Sequence, residues 1–152
     1  RAERYRIILD HWEHLWDVEA DTFANLSNVT SVLMEAFGFH WIGFYRVVTS
    51  GESSQLMVGP FQGPSACTRI GFGKGVCGTA WKEARTVVVP DVELFPGHIA
   101  CSSLSRSEIV VPVLVQEKVV AVLDIDSIVE NDFHDEDRAA LEVLMKGIAT
   151  KW

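Results

Sequence analysis

Apolar positions early in the chain fall three and four residues apart. Tyr5, Ile8, Leu9, Trp12, Leu15 and Trp16 make one stripe, and Leu26, Val29, Leu33, Ala36 and Phe37 make a second that stops at Gly38. Both stripes predict amphipathic helices, the second with a glycine stop. The period then shortens. His40 to Val48 is rich in aromatic and β-branched residues and reads as a strand, followed by a turn over 50–54. Gln55 to Val58 reads as a short strand, and the Gly/Pro punctuation from Gly59 to Pro64 as a loop. Thr68 to Phe72 predicts another short strand, Gly73 to Gly78 a tight loop, and Gly78 to Ala84 a short helix. Thr86 to Val89 is a strand closed by Pro90, and residues 91–107 look irregular.

Glu108 to Val115 and Val119 to Ile125 predict a hairpin around Gln116, Glu117 and Lys118. Both of its faces are largely apolar, so it belongs in the centre of a sheet covered on two sides. A final stripe of Ala140, Leu141, Leu144, Met145 and Ile148 follows the acidic run Asp135, Glu136 and Asp137. Carboxylates suit the positive end of a helix dipole. Short connections favour antiparallel pairing. The expected fold class is α+β, with terminal helices on one sheet face and the long middle loops building something on the other.

The 152 residues suit one domain, expected to span 1–152, and 48% apolar with 22% charged residues is a globular balance. No apolar run reaches the length of a membrane span, so no membrane partner is expected. The net charge of −8 disfavours nucleic acid as a partner. The sequence starts at Arg1 rather than a methionine, as an incomplete record would, and shows no targeting segment. Three cysteines are an odd count in a chain with a good core, which points to a reducing, cytoplasmic setting rather than a disulfide framework.

Chemistry narrows to three groups. The first is Gly73-Lys-Gly-Val-Cys-Gly78, which matches G-x-G-x-x-G but lacks the preceding parallel strand and long following helix of a dinucleotide fold. A turn needing positive φ before a helix N-terminus explains it better. The second is the cysteines Cys67, Cys77 and Cys101, all placed on loops and none on an apolar stripe, which favours thiol chemistry over packing. His98 and Arg106 are nearby cations for a thiolate. Zinc would have to use His98 and the three cysteines, but no C-x-x-C occurs and the spacings are scattered, so no metal is expected. The third group is carboxylates. Asp124 and Asp126 are two apart and share a strand face. Glu108 joins them only if the hairpin pairs with even parity, as with a three-residue loop at 116–118. Three carboxylates converging on a cysteine loop point to acid–base work or ligand binding.

These residues carry a family resemblance. The runs Gly59-Pro-Phe-Gln-Gly-Pro-Ser-Ala-Cys67, Phe72-Gly-Lys-Gly-Val-Cys-Gly-Thr-Ala80 and Val89-Pro-Asp-Val-Glu-Leu-Phe-Pro-Gly-His-Ile-Ala-Cys101 closely resemble the free methionine-(R)-sulfoxide reductases. So do Ser105-Arg-Ser-Glu-Ile-Val-Val-Pro112 and Leu123-Asp-Ile-Asp-Ser127, and the resemblance runs from about Asp21 to Lys146. It implies a GAF-like six-stranded antiparallel sheet with helices behind and a small pocket in front. It implies free methionine-(R)-sulfoxide as substrate, Cys101 as catalytic cysteine, Cys67 as resolving cysteine and Cys77 as an auxiliary thiol. Glu108, Asp124 and Asp126 match the carboxylates that hold the substrate and assist at the sulfoxide. Trp41 and Tyr45 are candidates for an aromatic wall. No cofactor is implied, thioredoxin is the expected reductant, and a homodimer stays open. The alternatives are a non-catalytic GAF domain binding a small ligand, or a redox sensor.

Overall fold

The computed structural model describes residues 1–99 and 103–152. Helices α1 (Ala2–Leu15) and α2 (Thr22–Phe37) lead into β1 (Trp41–Ser50), β2 (Ser53–Gln62) and β3 (Arg69–Ile70). Helix α3 (Gly75–Glu83), β4 (Val87–Val89), β5 (Ser107–Val115), β6 (Lys118–Ser127) and α4 (Asp135–Ala149) follow. The strands form one sheet in the order β3-β2-β1-β6-β5-β4, and every pairing is antiparallel. The expected α+β class and the six-stranded sheet are both present.

The two early stripes become the helices they predict. Asp21 caps α2 by accepting from the Ala24 N–H at 2.8 Å, and Gly38 ends it in the left-handed region at φ 65°. Tyr5, Ile8 and Trp12 are buried, whereas Leu15 at the end of the first stripe is exposed. Helices α1, α2 and α4 close over Ile42, Phe44, Ile109, Val111, Leu123 and Ile125, which point to one side of the sheet. The N-terminus is tied to α4 by the Tyr5 hydroxyl, which donates to Asp137 at 2.6 Å, and by Arg1, 3.1 Å from the same carboxylate. Asp137 also accepts from the His134 N–H at 2.8 Å, so one member of the acidic run is a buried capping group. Among the described residues no helix is long and apolar enough to cross a membrane.

Three expectations need correction. First, β2 does not stop at Val58 but runs to Gln62, through the Gly/Pro stretch assigned to a loop. Gly43 pairs with Phe61 and Tyr45 with Val58, so Gly59 and Pro60 together face Phe44 in a bulge. A bulge tolerates a proline because the ladder there needs no N–H from it. Second, α3 begins at Gly75 rather than Gly78. The glycines still do what a turn requires, with φ 73° at Gly73 and 61° at Gly75. Cys77 therefore sits inside a helix, buried against the sheet, and not on a loop.

The third correction concerns the hairpin. Val115 pairs with Lys118, so the turn has two residues, Gln116 and Glu117, both at positive φ. That is the handedness a two-residue hairpin turn requires. Continued regularly, it would set Glu108 across from Ile125 and turn its side chain away from the aspartates. Instead Leu114 pairs with Val119 and Val113 with Ala121, leaving Val120 as a bulge without a partner. The extra residue restores even parity, and Glu108 lies opposite Asp126.

Candidate functional site

Alternate residues of the central strands define the second sheet face. Across it run Trp41, Asp126, Glu108 and Val89 in one row and Gly43, Asp124, Val110 and Val87 in the next. Helix α3 packs over β5 and β6 from this side, with Val76, Cys77 and Ala80 buried against Val110 and Val122. Between the helix, the sheet and the segments that carry Ser65 and Ala66 and His98 and Ile99 lies a pocket. It is lined by Trp41, Tyr45, Ser65, Ala66, Ile70, Lys74, Gly75, Val76, Cys77, His98, Ile99, Ser105, Glu108, Asp124 and Asp126.

The aromatic wall is built on β1. Trp41 stacks on Phe61 with ring centres 5.2 Å apart and on Tyr45 at 5.9 Å, and its indole N–H donates to the Pro64 carbonyl at 3.0 Å. The indole lies back across Gly43. A Cβ at position 43 would come within 2.5 Å of Trp41 and 2.4 Å of Phe61, so no other residue fits there without moving the wall. The Tyr45 hydroxyl donates to the Cys67 carbonyl at 2.9 Å and so pins the Cys67 loop to the sheet floor.

Glu108 and Asp124 are buried, and Asp126 is half-buried at the pocket wall. Burial disfavours their charged forms most, and each then raises the others by like-charge repulsion. Glu108 is pushed up to about 8, chiefly by burial and then by Asp126. Asp124 and Asp126 are raised well above the ordinary carboxylate range, again by burial first and by a neighbouring carboxylate second. Burial and the same carboxylates push the Cys77 thiol up, so Cys77 is a neutral thiol near pH 7. The His98 Nε2 lies 3.6 Å from the Glu108 Oε1, and burial pushes that imidazole down, towards the neutral form. Near neutral pH the site thus holds buried carboxylic acid beside a neutral ring.

The structure brings together Glu108, Asp124, Asp126, Trp41, Tyr45 and Cys77 around one cavity. Cys67 stands just outside the lining, next to Ala66, with its sulfur in a disulfide, while Cys77 is a free buried thiol. Cys101 lies outside the described residues. Arg106 is not part of the site: it is exposed and pairs with Glu130 at 3.6 Å. Reading the sequence alone missed Ser105, buried at the pocket edge, and Lys74 at the N-cap of α3. It also missed Gly43, since one glycine within a strand carries no signal of the ring that folds over it.

With that geometry in hand, the comparisons are specific. The GAF domain model matches residues 24–151. GAF domain-containing protein A of Dictyostelium discoideum is 51% identical, the match covering 96% of this chain and 90% of that protein. The free methionine-R-sulfoxide reductase of Escherichia coli is 44% identical over 95% of this chain and 86% of its own length. The X-ray structure of free methionine-R-sulfoxide reductase from Neisseria meningitidis, in complex with its substrate, superposes with a TM-score of 0.91 at 49% identity, covering 99% of this chain and 89% of that one. The sheet order, the pocket in front of it and these matches place the chain in the GAF domain family, among relatives that include the free methionine-R-sulfoxide reductases.

Proposed function

We propose that this protein reduces free methionine-(R)-sulfoxide to methionine. The observation that carries the reading is the placement of Glu108 directly opposite Asp126, with Asp124 on the same face, inside a pocket walled by Trp41 and Tyr45. The reductases among its relatives support it. A free amino acid presents an ammonium group, which buried carboxylates hold, and a methyl sulfoxide, which an aromatic wall accepts. Peptide-bound methionine sulfoxide lacks that ammonium.

The chemistry follows from the pKa values. Sulfoxide sulfur is a poor electrophile until its oxygen is protonated, and Glu108, pushed up to about 8, retains a proton to give at neutral pH. Cys101 as thiolate attacks the sulfur, methionine leaves, and Cys101 becomes a sulfenic acid. Cys67 condenses with it, releasing water and forming a disulfide. A dithiol of the thioredoxin type then reduces that disulfide by exchange, which fits a cytoplasmic setting. Two electrons and two protons pass from the dithiol to methionine and water, so no metal or organic cofactor enters the balance. Cys77, neutral and buried on α3 against the sheet, acts as an auxiliary thiol rather than the first nucleophile.

The test is methionine release from each sulfoxide diastereomer with dithiothreitol as reductant. Release from the R form alone is expected. Release from neither form, or equal release from both, overturns the proposal. The division between the thiols is read without reductant. Cys101→Ser is expected to release no methionine, because serine is a far weaker nucleophile. Cys67→Ser is expected to release about one equivalent per chain and then stall.

A further inference from the structure

We infer that the inner corner of this pocket is also a binding site for a thiophilic divalent cation of the zinc class. Among the described residues, one sulfur and two carboxylate oxygens, from Cys77, Glu108 and Asp124, all lie within 4.8 Å of one another, and all three residues are buried. They come from α3, β5 and β6, so packed elements of the sheet face hold them and not a mobile loop. A second observation points to a ligand. The Asp124 Oδ1 is buried without a hydrogen-bond partner of its own, the carboxyl group interacting only with Cys77, Glu108 and Asp126 of the same cluster, and Asp124 lines the cavity. An orphaned buried carboxylate oxygen is costly unless something positive or protic meets it.

The donor set selects the metal. A thiolate with carboxylates suits zinc, whereas magnesium and calcium require oxygen ligands in larger number. The His98 Nε2, 3.6 Å from the Glu108 Oε1, stands beside this trio but outside it, so the fourth position is left to water. Ligand atoms around tetrahedral zinc stand about 3.4–3.8 Å apart, so the corner has only to contract by about 1 Å. On binding, the Cys77 thiol and the carboxyl groups release their protons to solvent, and no electron moves. The sequence hid this set, because its members are spread over three elements and no ligand pair is close in the chain.

The cation would occupy the same carboxylates that the amino acid needs, making it a competitor rather than a cofactor. That consequence rests on the proposed function, but the binding itself does not. The experiment therefore has two arms. In the first, the full chain is reduced with a phosphine and titrated anaerobically with Co²⁺ alone. A thiolate-to-cobalt charge-transfer band saturating at one equivalent, and displaced by Zn²⁺, is expected. The band should vanish in Cys77→Ser and persist in Cys67→Ser. Affinity should fall at least about 100-fold in Asp124→Asn, with Glu108→Gln read in parallel should that variant not fold. No saturable binding, or an undiminished band in Cys77→Ser, overturns the site. In the second arm, Zn²⁺ is expected to raise KM for the sulfoxide without lowering kcat. Zinc binding without any reductase activity removes the proposed function and leaves the cation site standing.

Discussion

The two faces of the β5–β6 hairpin are one residue step apart and behave as different molecules. Towards the helices, Ile109, Val111, Leu123 and Ile125 are 0–1% exposed and belong to the larger hydrophobic core. Towards the pocket, Val110 and Val122 are equally buried, but Glu108 and Asp124 stand beside them at 6%. Burial alone does not separate core from site. The difference is what fills the space in front: side chains from three helices on one face, a single short helix and a cavity on the other. Glu108 can stay there because it holds its proton near neutral pH, and that same retention is what an acid catalyst needs.

The largest effect should come from moving pocket chemistry onto the helix face. Leu123→Asp places an unpaired charge among packed apolar side chains and is expected to cost about 5 kcal/mol or more, leaving the chain unfolded by circular dichroism at 25 °C. Glu108→Gln, one strand away on the opposite face, should instead keep the fold and lower turnover by about 10²–10⁴-fold. If Glu108→Gln unfolds as Leu123→Asp does, or turns over normally, the contrast between the faces is lost.

Removing the charge from the ligand should be the next largest effect. N-acetylmethionine sulfoxide lacks the ammonium that the carboxylates would hold, so its kcat/KM should fall by about 2–5 kcal/mol in transition-state terms relative to the free amino acid. Comparable values for the two substrates would mean that the acidic face does not read the amino group.

A pH series sharpens the comparison further. The Glu108 pKa is raised in the folded state to about 8 from an ordinary value of 4.5. Between those values the folded chain binds more protons than the unfolded one, so this group's contribution to stability falls as pH rises through that window and levels off above it. Glu108→Gln lacks that loss. Its unfolding free energy should therefore gain on the parent from pH 5 to 8, by up to about 1.4 kcal/mol per pH unit, with its Tm rising accordingly and no further gain above. Turnover of the parent should decline above about pH 8 as the acid is lost. A Tm difference that stays flat from pH 5 to 8 would show that Glu108 ionises normally.

The smallest effect should follow deletion of Val120. The bulge disappears, but the two-residue turn and the pairing of Glu108 with Asp126 can both persist in a regular ladder. Turnover should change less than about tenfold, with a modest loss of Tm where Val120 packs at the edge of the core. A collapse of activity with the fold intact would mean that the bulge itself, and not the parity it restores, shapes the site.

The long helices, the covered hairpin, the six-strand count that the family resemblance implied, and the three candidate carboxylates that the pocket gathers were legible in the chain. Those are local properties: apolar period, caps and turn residues act over a few positions and survive in one dimension. The chain alone did not determine that β2 runs on past Gly59 and Pro60, because a proline breaks a strand unless it sits in a bulge, as Pro60 does here. Nor did it place Cys77 on a helix, since glycines at 73 and 75 read alike as loop or as the entry to α3. The parity that sets Glu108 before Asp126 shows the limit most clearly. The three-residue loop expected at 116–118 reaches the right face by the wrong route: the turn has two residues, which alone would turn Glu108 away, and one unpaired residue at Val120 restores the parity. Only the tertiary structure makes that choice. Ile109, Leu123 and Ile125 must all reach the helices together, and the register that buries them is the one that gathers the acids on the other side.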